Sequence, residues 1–344
     1  MKVTTLTIFL SSIFLSSNVL ALEQKPSVEI YATGGTIAGS SASNLDTTNY
    51  KAGSIGVNDL INAVPELKNI ANISGEQIAN VASSNIGQVE LLKISKSISQ
   101  KLKNKNINGA VVTHGTDTTE ETAFFLDLTI NSIKPVVVVG AMRPATAISA
   151  DGPMNLLEAV SLATNKESEN RGVMIVLNDR IGSAFYTTKT NSTTLDTFKA
   201  VEQGYLGTFI GVKPKFYYSA AKPINKPFFD ISNINTLPKV EIIYAHQDQD
   251  TSLIDAAISS GAKGIVIAGN GNGSISDNLK AKTVELMKKG IPVVRSTRTG
   301  SGYVSAKEEG IGSGYYNPQK ARIILTLALA KADDIQKIRS YFED

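Results

Sequence analysis

The 344-residue chain contains no cysteine. Neither a disulfide framework nor thiol chemistry is open to it, and a conventional apolar core must hold it together. Histidine is almost as scarce, with only His114 and His246, so a centre of several imidazoles or a serine–histidine relay has almost nothing to be built from. Neither sign of charge dominates: Lys and Arg number 34 and Asp and Glu 31. That balance is too even to suggest a polyanion, so nucleic acid is not an expected partner. Internal repeats and low-complexity tracts are also missing.

The longest apolar stretch, Leu6 to Leu15, carries Ser11 and Ser12 and is followed by Ser16, Ser17 and Asn18. It falls short of the roughly 20 residues that a membrane span needs. With Lys2 before it and the small residues Val19 and Ala21 placed for cleavage, residues 1–21 predict a secretory signal peptide rather than an anchor. The mature protein would then be periplasmic in a Gram-negative source and hold no membrane contact.

A chain of this length favours two domains over a single core. Apolar runs alternate with amphipathic stretches, the rhythm of an α/β protein with a largely parallel sheet. Strands are expected at Val28–Thr33, Ala110–Thr113, Val136–Gly140, Val173–Leu177, Val240–Tyr244, Gly264–Ala268 and Val293–Ser296. Leu91, Ile94, Ile98 and Leu102 keep helical spacing, and Asn317-Pro318 reads as an N-cap with proline in the first turn of a helix over 319–332. Four prolines and an asparagine-rich stretch interrupt the rhythm over 209–238. The expected division is therefore an N-terminal domain over 22–213, a linker over 214–238 and a smaller C-terminal α/β domain over 239–344.

Two threonine-bearing segments carry the chemistry. Thr33-Gly34-Gly35-Thr36-Ile37-Ala38-Gly39 follows a predicted strand, where glycines tolerate the backbone angles that lift a hydroxyl above a sheet edge. Thr36 needs a neighbour to take its proton before it can attack, and the polar stretch that ends at Tyr50 has the composition of a lid that brings a phenol to it. The alternative is that Thr36 caps a turn and Tyr50 packs. In the second segment, His114-Gly115-Thr116-Asp117-Thr118-Thr119-Glu120-Glu121-Thr122, the turn at Gly115-Thr116-Asp117 lies where open parallel sheets bind ligands. Thr118 and Glu121 have capping-box spacing. Asp117 is either a capping acid or a carboxylate for a substrate ammonium. Glu120 and Glu121 suit the first turn of a helix, and His114 reads as a hydrogen-bonded core residue rather than a base. A lone lysine such as Lys189 is ordinarily a solvated surface residue.

These two segments, with Val139-Gly140-Ala141-Met142-Arg143-Pro144, Ser149-Ala150-Asp151-Gly152-Pro153-Met154-Asn155-Leu156, Thr188-Lys189-Thr190-Asn191 and Leu206-Gly207, resemble the bacterial type II L-asparaginase family, including its glutaminase-asparaginase members. The resemblance runs from about Val28 to the C-terminus. It implies hydrolysis of L-asparagine to L-aspartate and ammonia without a cofactor or metal, in a homotetramer of two intimate dimers. Thr36 would correspond to the nucleophile, Tyr50 to its partner, and Thr116, Asp117 and Lys189 to a second cluster. Another view within the family gives Thr116 the attack or the activation of water. Ser83 resembles the serine that grips the substrate's α-carboxylate, and Ala141 the residue whose N–H helps form the oxyanion hole. Asn272 and Glu309 match residues lent to a neighbouring subunit's site, Glu309 supporting Tyr50, with Glu308 as its possible substitute. Ser84 departs from the pattern, which generally has glutamine or glutamate there. That leaves the balance between L-asparagine and L-glutamine open.

Two rivals come from other classes. Gly269-x-Gly271-x-Gly273 is a weak match to a dinucleotide loop, its third glycine coming too early. A non-catalytic periplasmic amino-acid binder could use Ser83 and Asp117, but gives no reason for Thr36, Thr116, Lys189 and Tyr50 to occur together.

Overall fold

A computed structural model of the chain describes residues 25–343. The signal peptide expected over 1–21 lies outside the described residues. The chain begins with five strands, β1 (Ser27–Gly34), β2 (Asn72–Val81), β3 (Gly109–Thr113), β4 (Val136–Val139) and β5 (Val173–Leu177), all paired in parallel. Next come β6 (Arg180–Ser183), a detached ribbon of β7 (Thr188–Lys189) and β8 (Phe198–Lys199), then β9 (Gly207–Ile210) and β10 (Lys213–Phe216). Among the described residues, the larger sheet runs β10-β9-β6-β5-β4-β3-β1-β2, with its last three strands added antiparallel to one another. β3, β4 and β5 are buried along their whole length. Their near-continuous valine, alanine and isoleucine content is what a strand covered on both faces requires.

Helices α1 (Val57–Asn62), α2 (Leu67–Ile70), α3 (Gln88–Lys101), α4 (Thr119–Thr129) and α5 (Gly152–Thr164) connect these strands. Val57, Leu67, Leu156 and Val160 from α1, α2 and α5 pack with Val137 and Val139 on one face. Ile94 and Ile98 of α3 and Phe124, Phe125 and Leu128 of α4 pack with Val136 and Val138 on the other.

A second sheet of four parallel strands follows in simple order: β11 (Val240–Tyr244), β12 (Gly264–Gly269), β13 (Val293–Thr297) and β14 (Ile311–Gly312). Helices α6 (Ser252–Ser259) and α7 (Asp277–Lys288) cover its outer face through Ile254, Leu279 and Leu286. On the inner face, α8 (Pro318–Ala330) places Ile324 and Leu327 in the cluster that holds Phe124 and Phe125 of the larger domain. A short α9 (Ile335–Arg339) closes the chain. The two domains thus share one apolar core.

All seven expected strands are present within a residue or so at either end, and the larger parallel and smaller α/β domains are as anticipated. Asn317 caps α8 by accepting from the Lys320 N–H at 3.0 Å, with Pro318 in the first turn. One local expectation fails. Thr118 stands at the N-cap of α4 but makes no side-chain cap; its hydroxyl donates instead to Ser83 O at 2.9 Å, while Glu121 faces Arg322 at 3.9 Å. A tertiary acceptor has replaced the local one. β2, a half-exposed polar strand, and the β6 to β10 edge were not among the expected strands. β10 contains Pro214, which an edge strand tolerates because one side needs no ladder donor.

Glu158 on α5 is fully buried, and neither carboxyl oxygen meets a hydrogen-bond donor. Burial, helped by the nearby Asp179 carboxyl, which lies outside hydrogen-bond geometry, pushes its pKa up to about 8. The folded-state value is above the unfolded one, so the native chain holds an extra proton between them and loses stability as pH rises from about 4.5 to about 8. Glu158→Gln, which cannot ionise, should flatten that decline between about pH 4.5 and 8. Thermal unfolding across this range checks it, and an unchanged slope would contradict the assignment.

Candidate functional site

The C-terminal ends of β1 and β3 are neighbours, and the chain leaves them toward opposite sides of the sheet: β1 leads to β2, β3 to β4. This is the switch point where open parallel sheets form a crevice. Two glycines let the turns meet there. A Cβ on Gly35, whose φ is 76°, would lie 2.3 Å from Gly115 Cα, and a Cβ on Gly115 would lie 2.8 Å from the Ser83 side chain. Backbone can therefore touch backbone, and Thr36 and Thr116 follow directly on the two turns that meet.

Thr36 begins a single 3-10 turn, Thr36–Ala38, and is buried. Its Oγ1 is 2.6 Å from the Tyr50 hydroxyl. Tyr50 ends a polar loop whose neck is closed by paired backbone bonds between Ser40 and Lys51 at 3.0 and 2.9 Å. The tyrosine ring lies against Gly39, where a Cβ would come within 2.9 Å of it. The loop is docked at two points: Ala145 N donates to Gly39 O and Ile148 N to Asn44 O, both at 2.9 Å. Thr36 is thus a hydroxyl with a phenol in contact, not a helix cap, since no side-chain cap is present on this turn.

The second cluster is equally direct. Lys189 Nζ donates to Thr116 Oγ1 at 3.0 Å and to Asp117 Oδ1 at 2.7 Å. The lysine side chain is only 13 % exposed, whereas that of Asp117 is 76 % exposed. The ordinary surface reading of Lys189 does not hold, and Asp117 is left facing open space with one oxygen fixed. Tyr50, Thr116, Asp117 and Lys189 line one cleft of about 320 Å³, with Met142 and Arg143 on its wall.

Ser83 is buried at the end of β2, against Gly115, and Ser84 beside it is exposed. Ala141 is buried in the turn after β4. Sequence reasoning gave no role to the groups that shape this turn. The Asp151 carboxylate accepts from Met142 N and Arg143 N, both at 2.9 Å, and Asn155 Nδ2 donates to Gly140 O at 3.0 Å. Both residues stand in a quoted motif, so the signal was present without its reason.

His114 is fully buried between Thr33 Oγ1 at 3.0 Å and Thr122 Oγ1 at 2.5 Å. Thr33 donates to Thr113 O, which assigns the proton to His114 Nδ1 and leaves Nε2 to accept from Thr122. Burial pulls its pKa down to about 4, so it is a neutral core residue, as expected from its place in the sequence.

Asn272 and Glu309 do not join this cleft within one chain. Asn272 is exposed on the tight turn bridged by Asn270 and Ser274, and its amide exchanges hydrogen bonds with Ser305 N at 2.8 Å and Ser305 Oγ at 3.1 Å. Glu309, half-buried, stands in the segment before β14. The fully buried Arg295 supports this region by donating to Gly273 O and Ser305 O at 3.2 and 3.0 Å. An arginine inside the apolar run Val293-Val294-Arg295 was its only sequence signal.

Comparison with known proteins agrees along nearly the whole chain. Residues 27–222 match the family described as Asparaginase, N-terminal, and residues 239–342 the Glutaminase/Asparaginase C-terminal domain. L-asparaginase 2 of Bacillus subtilis is 52% identical over 338 residues, covering 95% of this chain and 89% of the relative. A probable periplasmic L-asparaginase of Haemophilus influenzae is 44% identical over 328 residues, covering 93% of each. The crystal structure of a probable cytoplasmic L-asparaginase from Campylobacter jejuni superposes with a TM-score of 0.88 at 48% identity, covering 92% of this chain and 99% of that one.

The crowding at the switch point is measurable. Gly115→Ala would press a methyl group onto Ser83 and Gly35, and should destabilise the fold by about 1–3 kcal/mol, as overpacking does. Denaturant unfolding of that variant beside Gly204→Ala, an open position of positive φ, separates packing from backbone strain. Equal losses would argue against the close approach.

Proposed function

The chain belongs to the asparaginase family and is a hydrolase of L-asparagine; from that premise we propose that Thr36 is its nucleophile and that the Thr116–Lys189–Asp117 cluster completes the site. The observation that carries this reading is the pair of short contacts, Thr36 to Tyr50 at 2.6 Å and Lys189 to Thr116 at 3.0 Å, held at adjoining turns. A non-catalytic binder has no use for either.

In this reading Asp117 holds the substrate ammonium group, and Ser83, with the shorter reach of Ser84, holds the α-carboxylate. The side-chain carbonyl then lies toward Ala141, whose N–H stabilises the charge that develops on oxygen. Thr36 Oγ1 attacks the amide carbon. Its proton passes to the Tyr50 oxygen while the phenol proton moves on to the leaving nitrogen, so ammonia departs neutral and an aspartyl ester remains on Thr36. Water, oriented at Thr116 by the Lys189 ammonium, resolves the ester to L-aspartate and restores the threonine.

Asn272 and Glu309 enter through a neighbouring copy in a homotetramer, Glu309 supporting Tyr50. Their loops belong to the smaller domain and stand apart from the cleft of their own chain, which is what supports this. We further propose export through a signal peptide over residues 1–21, with a periplasmic mature enzyme, and some hydrolysis of L-glutamine. The apolar leader supports the first of these, and the short side chain of Ser84, which closes the pocket less than a glutamine would, supports the second. The division into residues 22–213 and 239–344 is supported by the two separate sheets, although β10 carries the larger sheet on to Phe216.

Ammonia release from purified mature protein, measured with L-asparagine and L-glutamine side by side, tests the proposal. Thr36→Ala should keep the fold and lose at least about 10³ in kcat, and Lys189→Met should bind substrate yet turn over about 10²–10⁴ times more slowly. A rate close to wild type in either variant removes the role given to that residue. Release from neither amide would restore the binding-protein reading.

A further inference from the structure

The N-terminus of α8, in the smaller domain, grips both sides of the Thr116–Lys189 contact. On one side Lys320 is buried and its Nζ donates to three main-chain carbonyls, Ala184 O at 3.1 Å, Phe185 O at 2.8 Å and Thr187 O at 2.8 Å. An ammonium has three hydrogens, and all three are used on the segment that ends in Lys189. On the other side the Glu120 carboxylate, three residues after Asp117, accepts from Asn317 Nδ2 at 3.0 Å and Gln319 Nε2 at 3.1 Å. Asn317 Nδ2 also reaches Thr188 Oγ1 at 3.4 Å. One helical turn of α8 therefore fixes the backbone that carries Lys189 and the helix that begins behind Thr116 and Asp117.

The arrangement is costly for mere packing. A buried ammonium without a carboxylate at ion-pair distance is disfavoured, and among the described residues no such pair is present for Lys320. Burial lowers its pKa to about 8, and it still carries its proton at neutral pH. The ring of Phe124 lies 5.4 Å from Nζ, inside a cluster in which Phe124, Phe185 and Tyr316 contact one another at 5.4–5.9 Å between centroids. A methionine would match the side chain's shape among these rings but leave the three carbonyls without their donor. What the charge adds is a fixed distance to three carbonyls.

We infer that Lys320 is a positioning residue for the reaction, holding the Lys189 segment from the smaller domain so that the Lys189 ammonium stays on Thr116. The inference rests on the role proposed above for Lys189. It predicts a defect in turnover that exists only while Lys189 is there to be positioned.

The test compares Lys320→Met, Lys189→Met and the double variant, each as full mature enzyme, for kcat and KM with L-asparagine, and follows the fold by circular dichroism and thermal unfolding. Lys320→Met should lower kcat roughly 10- to 100-fold and leave KM within about threefold, as a misplaced catalytic group does. The double variant should be no slower than Lys189→Met alone. A near-normal kcat in Lys320→Met, or losses that multiply in the double variant, overturns the inference. Fast turnover in Lys189→Met overturns instead the reading on which it rests. If Lys320→Met does not fold, Glu120→Gln tests the other arm of the grip. It should show a smaller loss confined to kcat that vanishes on the Lys189→Met background; a loss that persists there also overturns the inference.

Discussion

Contact between two stretches of main chain, Gly35 against Gly115, sets the geometry from which the rest of this protein's chemistry follows. Side chains ordinarily keep the turns of neighbouring strands several ångströms apart. Removing both Cβ atoms lets the ends of β1 and β3 touch, which puts Thr36 and Thr116 on adjoining turns without a long side chain spanning the gap. The cost falls on the backbone, at φ of 76° for Gly35, and only glycine carries it easily. Ser83 closes the third side of the contact, so the group proposed to hold the substrate carboxylate is placed by the same crowding.

The smaller domain is not an appendage. Its α8 shares an apolar cluster with α4, and α4 opens immediately behind Thr116 and Asp117. The Glu120 carboxylate, which on sequence grounds needed no more than the positive end of a helix, joins α4 to α8. Lys320 does the same for the segment of Lys189. The Thr116–Lys189–Asp117 cluster therefore lies in one domain and is braced by the other, which explains why the two do not behave as separable units in the packing.

The strands and the two threonine-bearing turns were legible because their signals are local. Val136–Val139 can hardly be anything but a buried strand, and glycine pairs followed by threonine announce tight turns at a sheet edge. β2 was not legible: its residues alternate between half-buried and exposed, and its polar content at Ser74, Glu76 and Gln77 resembles a loop until β1 is seen to pair with it. Thr118 shows the converse. Its spacing from Glu121 promised a capping box, and a carbonyl of Ser83, 35 residues away in the chain, took the hydroxyl instead. Lys189 looked like a surface residue because nothing in its neighbours foretells burial, and Lys320 drew no reading at all; the partners that keep them inside lie 72 or more residues away in sequence. Local chemistry is readable from a single sequence, whereas a partnership between distant polar groups emerges only after the core has formed.

The loop that ends in Tyr50 has a consequence for when the enzyme is able to react. Its neck, at Ser40 and Lys51, adjoins the tyrosine, and its body is tied down by only a few main-chain bonds to residues 145–148. Displacing this neck would take the phenol away from Thr36, so the proposed nucleophile owes its hydrogen-bond partner to the docking of the loop.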